Sequence, residues 1–134
     1  MLKRILSISG KPGLFELVSQ GNNMLIVEDL ANKRRCPAYA NDKVISLADI
    51  AIYTEMDEVP LNDVFYSIKK LQDGKQVEIN MKDSSVLREF FGKVLPDFDQ
   101  IRVHDNDIKK VIKWYNLLIE SGRGEFEEPK TNAE

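Results

Sequence analysis

Apolar residues recur at two different periods along this chain, and the change falls near residue 57. Up to about Glu55 the apolar runs are short and punctuation is frequent. Leu2 to Ile8, Leu14 to Ser19, Met24 to Leu30, Arg35 to Ala40 and Ala51 to Thr54 each have the length of a strand. Gly21-Asn22-Asn23 separates two of them with residues that tolerate positive φ, as a hairpin requires. Ala31-Asn32-Lys33-Arg34 turns the chain again. In Gly10-Lys11-Pro12-Gly13, Pro12 suits the first central position of a type II turn and Gly13 the second. Ser46-Leu47-Ala48-Asp49 has the Ser-x-x-acid spacing of a helix start, but there is room only for a short 3₁₀ turn before the last strand. About five short strands in so little chain predict a small SH3-like or Tudor-like β-barrel over residues 1–56, whose closure would hide the sheet edges.

Beyond residue 57 the period moves towards 3.6. Pro60 suits a first helical turn, and Leu61, Val64, Phe65, Ile68 and Leu71 then share one face. Lys69 and Lys70 favour the end of that helix, and Gly74 terminates it. Val77, Ile79 and Met81 alternate over a short extended link. Asp83-Ser84-Ser85 offers caps for a second helix bearing Leu87, Phe90, Phe91, Val94 and Leu95, which Pro96 ends. A third helix starts near Asp105 and runs to Ser121, with Ile108, Val111, Ile112, Tyr115, Leu118 and Ile119 inward. The fold class expected is therefore α+β, a small barrel domain followed by a three-helix domain over 57–122. The polar, Pro-containing stretch 123–134 reads as a disordered tail.

Composition narrows the class without naming an activity. The 134 residues are 43% hydrophobic and 31% charged, as in a globular protein, and no apolar run approaches the ~20 residues of a membrane span. The start of the chain lacks a sustained apolar segment and a small-residue cleavage site, and the single cysteine, Cys36, forbids an internal disulfide. Both observations place the protein in the cytoplasm, away from membranes. A net charge of −3 argues against a dedicated nucleic-acid binder.

No stretch carries a catalytic signature. The glycines around Lys11 lack P-loop spacing and precede a strand instead of a helix. Asp97, Asp99, Asp105 and Asp107 do not fit a calcium loop, because Ile101, Arg102 and Ile108 stand where a ligand, a glycine and a glutamate are needed. They read as solvating and helix-capping acids. Cys36 and His104 fall in different halves of the chain and read as a structural thiol and a helix-entry histidine. Neither a metal nor a cofactor is expected.

Binding is the remaining chemistry. Lys33-Arg34-Arg35 is the densest basic run and lies at a turn, with Tyr39 nearby. Small barrels bind through loops and exposed aromatics, so Lys33, Arg34, Arg35, Tyr39 and Tyr53 form the candidate partner-binding set, with Phe15 as a further stacking candidate. Lys109, Lys110 and Lys113 lie off the apolar stripe of the third helix as a solvated face, flanked by Trp114 and Leu117. That wide apolar arc suits packing against two neighbours or a second subunit, hence a homodimer.

The order of segments also resembles a known family. It is carried by Ile5-Leu6-Ser7-Ile8-Ser9-Gly10-Lys11-Pro12-Gly13-Leu14, by Met24-Leu25-Ile26-Val27-Glu28, by Asp49-Ile50-Ala51-Ile52-Tyr53-Thr54, and by Ile108 through Asn116 with Trp114 and Tyr115 near its end. These runs resemble an uncharacterised bacterial domain-of-unknown-function family with an N-terminal barrel-like part and a C-terminal helical part. The resemblance implies the two-part architecture and no activity. The function expected is a non-enzymatic protein-binding or adaptor module. The alternative is an RNA- or ribosome-associated protein using the basic turn.

Overall fold

The structure is a computed structural model and describes residues 2–39, 42–126 and 128. After a 3₁₀ turn at Leu2–Arg4, strands β1 (Ile5–Ile8), β2 (Lys11–Gly21), β3 (Met24–Asp29), β4 (Arg35–Tyr39) and β5 (Val44–Ser46) form one antiparallel sheet in the order β4-β3-β2-β1-β5. Gly21 pairs with Met24 across the two-residue loop Asn22-Asn23, where Asn23 takes φ 58°. The expected hairpin forms because asparagine tolerates this left-handed backbone.

Two local expectations are corrected. The β1–β2 turn lies at Ser9-Gly10, since Ile8 pairs with Lys11, and Gly10 has φ 84°. Pro12 and Gly13 sit instead in an irregularity of the β1–β2 register, with Gly13 at φ 87°. Proline has no N–H for the ladder, so it falls where pairing is already interrupted. The fifth strand of the sheet is Val44–Ser46, not Ala51 to Thr54. This strand is only three residues long and exposes Ile45, so it carries no alternating signal. Strand β6 (Ala51–Tyr53) pairs with β7 (Glu58–Pro60) in a separate two-stranded sheet. The Thr54 hydroxyl closes that hairpin by donating to Asp57 O at 2.9 Å and accepting from Asp57 N at 3.0 Å.

Alternation gives the larger sheet two apolar faces. Leu6, Ile8, Phe15, Val27 and Ala38 fill one small cluster, bordered by Leu17, Leu25, Cys36 and Val44. Ile5 and Leu14 face the other way and join Leu2, Leu30 and Leu47 in the main core. Strands β4 and β5 are the edges of an open antiparallel sheet, so among the described residues the closed ring of pairing expected for a barrel does not form.

Three helices complete the core: α1 (Leu61–Gln72), α2 (Ser84–Val94) and α3 (Asp105–Glu120). Asp83 caps α2, its Oδ1 accepting Ser85 N at 3.0 Å. Helix α1 ends at Asp73 and Gly74, both at positive φ. Leu61, Val64, Phe65 and Ile68 meet Leu87, Phe91, Ile108, Ile112 and Tyr115, an assembly of i, i+3, i+4 stripes buried between helices and sheet. Leu71, counted on the buried stripe of α1, is half exposed at its end.

The link between α1 and α2 is fastened by a side chain that acts as a strand would. Asn116 accepts Val77 N at 2.7 Å and donates to Val77 O at 3.0 Å. After α3 the chain folds back. Phe126 is buried against Phe65 and Tyr115, and Arg123 binds Glu16 on β2. Residues 123–126, assigned to a disordered tail by composition, are therefore packed; 127 and 129–134 lie outside the described residues. Among the described residues no helix is long and apolar enough to cross a membrane.

Candidate functional site

Where α3 leans over the β1–β2 turn and β6, the two parts of the molecule leave a cleft of about 860 Å³. Ile8, Ile45, Ile52, Val111, Trp114 and Leu117 supply much of its apolar lining. Trp114 and Leu117 stand on α3 at the edge of its buried stripe, and both are partly buried against the main core. Gly13 takes the β2 backbone through φ 87° beside the helix, where a Cβ would make only ordinary contact with Leu117 Cδ2 at 3.9 Å.

The charged lining is one-sided. Among the described residues, Lys11, Arg102, Lys110 and Lys113 reach the cleft against a single acid, Asp107. Asp107 is already engaged: its Oδ2 accepts the His104 N–H at 2.9 Å and closes the first turn of α3. Arg102 is engaged as well, its Nε 3.1 Å from Asp99 Oδ2 and its guanidinium carbon 4.6 Å from the centre of the Tyr53 ring. The N–H groups of Arg102 and Ile101, followed by the Arg102 side chain, hold the Asp99 carboxyl below its ordinary pKa. Lys11, Lys110 and Lys113 are exposed and make no ion pair among the described residues. In a chain whose net charge is −3, this is a local reversal of sign.

Two clamps hold the walls in place. Arg88 on α2 donates to Asp105 Oδ1 at 2.9 Å, Gln100 O at 3.2 Å and Val103 O at 3.2 Å, fixing the segment that carries Arg102. At the far end, Arg123 grips Glu16 with Nη2–Oε1 at 2.7 Å and Nε–Oε2 at 3.1 Å, tying the end of α3 to β2. The Arg123 hydrogen bond is the main influence holding Glu16 below its ordinary pKa, and it raises that of Arg123.

The residues singled out by sequence are dispersed. Lys33, Arg34 and Arg35 do lie together at the β3–β4 turn, with Lys33 at φ 65° and its N–H donated to Asp29 O at 2.8 Å. Arg35 pairs with Glu28 at 3.2 Å. Tyr39 is at the opposite end of β4 and pairs with Met24, four residues or roughly 13 Å along the strand from Arg35. Tyr53 belongs to the other sheet and lines the cleft. Phe15 is buried in the sheet's own cluster, so Phe15, Tyr39 and Tyr53 form no cage.

Cys36 borders that same cluster, while His104 is exposed at the start of α3. Asp99, Asp105 and Asp107 serve a turn, an ion pair with Arg88 and a helix cap respectively, and no metal-holding group of three His, Cys, Asp or Glu occurs among the described residues. Sequence reading placed Lys110 and Lys113 on a solvated face. The signal for the cleft was the spacing of Lys110, Trp114 and Leu117, which puts a second half-apolar stripe beside the buried one.

This architecture has relatives. Residues 50–118, just over half of the chain, match the family model described as Domain of unknown function (DUF6852). The chain belongs to this family. Residues 2–47 match a second model, Domain of unknown function (DUF5606), so the two matched stretches meet at the 3₁₀ turn Leu47–Asp49. A protein from Bacteroides vulgatus, a structural genomics target solved by solution NMR, is similar at 56% identity over 94% of this chain and 91% of its own, with a TM-score of 0.77. No curated protein matches the chain. Residues lining the cleft come from both matched stretches, Lys11 and Ile45 from one and Tyr53, Lys110 and Trp114 from the other.

Proposed function

We propose that this protein is a non-enzymatic cytoplasmic binding module whose protein partner docks in the cleft between the sheet and α3. The observation that carries the reading is the composition of that cleft: an aliphatic wall edged by three lysines that make no ion pair among the described residues. Apolar surface rimmed by polar groups is what marks an interaction site. Its one carboxylate is committed to a helix cap, which suits docking better than proton transfer. The single cysteine supports the cytoplasmic setting.

The sheet part of this module is read as SH3-like or Tudor-like in outline. Two features support this: the antiparallel order β4-β3-β2-β1-β5, and the way all five strands send side chains into one shared cluster. Register shifts in β1–β2 and β2–β3 supply the bends that such a curled sheet needs.

The second reading is RNA or ribosome binding through the β3–β4 turn, favoured by the exposure of Lys33 and Arg34 at its tip. Affinity capture from native cells, with and without nuclease, separates the two. The first reading expects a partner that survives nuclease and is lost when Ile45, exposed on the cleft wall, is changed to Glu. Loss with nuclease, or with Lys33, Arg34 and Arg35 all changed to Ala while Ile45→Glu is harmless, would move the site to the turn.

A further inference from the structure

We infer that the cleft takes an extended, acidic segment of its partner, with aliphatic side chains on the Ile45–Leu117 wall and carboxylates at Lys11, Lys110 and Lys113. The inference rests on the binding-module reading and adds the chemistry of the partner. Charge complementarity carries it. Three lysines line one cleft, at the start of β2 and on successive turns of α3, and no described acid pairs with them. A neutral or basic segment would leave them unmatched, whereas carboxylates would be drawn in and oriented.

The choice of a peptide over a nucleic acid follows from the aromatic rings. Single strands are held by stacking bases on exposed ring faces. Here Arg102 occupies one face of the Tyr53 ring at 4.6 Å, with the residue still 44% exposed, and Trp114 is partly buried against the core. What remains open is mostly aliphatic, including Ile45 at half its full exposure. Such a wall accepts leucine- or isoleucine-like side chains and offers little to a base.

The chain contains its own reporter, because Trp114 is the only tryptophan and lines the cleft. The test pans a random dodecamer display library against the full chain, then titrates the enriched peptides by Trp114 fluorescence. The expected result is a pool rich in Asp and Glu interleaved with aliphatic residues. Changing Lys110 and Lys113 together to Glu should weaken the best peptide by about tenfold or more, through lost attraction and added repulsion. Changing Lys33 and Arg34 to Glu, the same alteration of net charge on the distant turn, should leave it nearly unchanged. All four positions are exposed, so folding is retained in both variants and checked by circular dichroism.

A pool no more acidic than the starting library would overturn the acidic preference and leave the module reading intact. Equal weakening by both double variants would reduce the effect to overall charge and overturn the site. Displacement of the peptide by a single-stranded RNA oligonucleotide would reassign the cleft to nucleic acid. Concentration-dependent self-association, abolished by the Lys110 and Lys113 changes, would reassign it to a second copy of this chain. Failure to enrich any peptide would overturn both the inference and the module reading beneath it.

Discussion

The β3–β4 turn and the cleft each gather three uncompensated or weakly compensated cations, yet they differ in every other respect. In the turn, Lys33, Arg34 and Arg35 are consecutive, project from a hairpin tip and have water on nearly every side. Arg35 spends its charge on Glu28, and the side-chain oxygens of Asp29 and Asn32 shape the turn by accepting the N–H groups of Ala31 and Arg34. In the cleft, Lys11, Lys110 and Lys113 come from distant parts of the chain and stand around an apolar wall that the main core supports. A charge run at a hairpin tip is strongly screened and attracts with little selectivity. Charges around an apolar wall combine attraction with shape, so the difference points to the cleft as the selective surface.

Phe91 is fully buried on α2, edge-on to Phe98 at 5.0 Å, and supports the segment leading to Arg102. Phe91→Ala should cost about 3–5 kcal/mol, read from denaturant unfolding, and should remove cleft binding together with stability. An unchanged unfolding midpoint would mean that this core does not support the site. Arg88→Ala removes four hydrogen bonds to the 100–105 segment and should cost about 1–3 kcal/mol. Its sharper consequence is a change in Trp114 emission and weaker peptide binding, without effect on the turn.

Gly13→Ala places a side chain at φ 87° beside Leu117, at a cost of about 1–2 kcal/mol. It tests whether the β1–β2 bulge sets the distance between sheet and helix. The Glu16–Arg123 clamp is partly exposed and should contribute about 1 kcal/mol or less. Because Glu16 is held below its ordinary value of 4.5, its contribution is present above that value and fades as pH falls through the lower, folded one. Glu16→Gln should remove that contribution at neutral pH, leave stability below the folded pKa nearly unchanged, and so flatten the acid limb of the stability–pH curve. Smallest of all, Lys33, Arg34 and Arg35 changed together to Ala should shift stability by no more than about 0.5 kcal/mol and leave cleft binding alone.

The same contrast explains what the sequence revealed. The helices were legible because each buries a long 3.6-period stripe and carries its own cap or stop, as Asp83 and Gly74 do. The first four strands and the Asn22-Asn23 hairpin were legible from alternation and turn chemistry. Strand β5 was not, since its three residues gain their pairing from β1 and show no pattern alone. That omission moved Ala51 to Tyr53 into the wrong sheet. Phe126 was missed because its stretch is polar apart from this one ring, whose burial depends on Phe65 and Tyr115.

The candidate site was the least legible part. A basic triplet in sequence is visible at once, whereas Lys11, Tyr53, Arg102 and Lys110 become neighbours only after α3 is docked on the sheet. Of the residues chosen from sequence, Tyr53 alone lines the cleft. The half-apolar stripe of Lys110, Trp114 and Leu117 was noticed as a flank of α3, but nothing local says what such a flank will face.

The most direct test of the central claim is to map backbone amide shifts by NMR as an enriched peptide is added to the full chain. The account predicts that the largest changes cluster at Lys11 to Gly13, Ile45, Tyr53, Arg102 and along α3 from Lys110 to Leu117. Changes centred on Ala31 to Arg35, with the cleft silent, would contradict it.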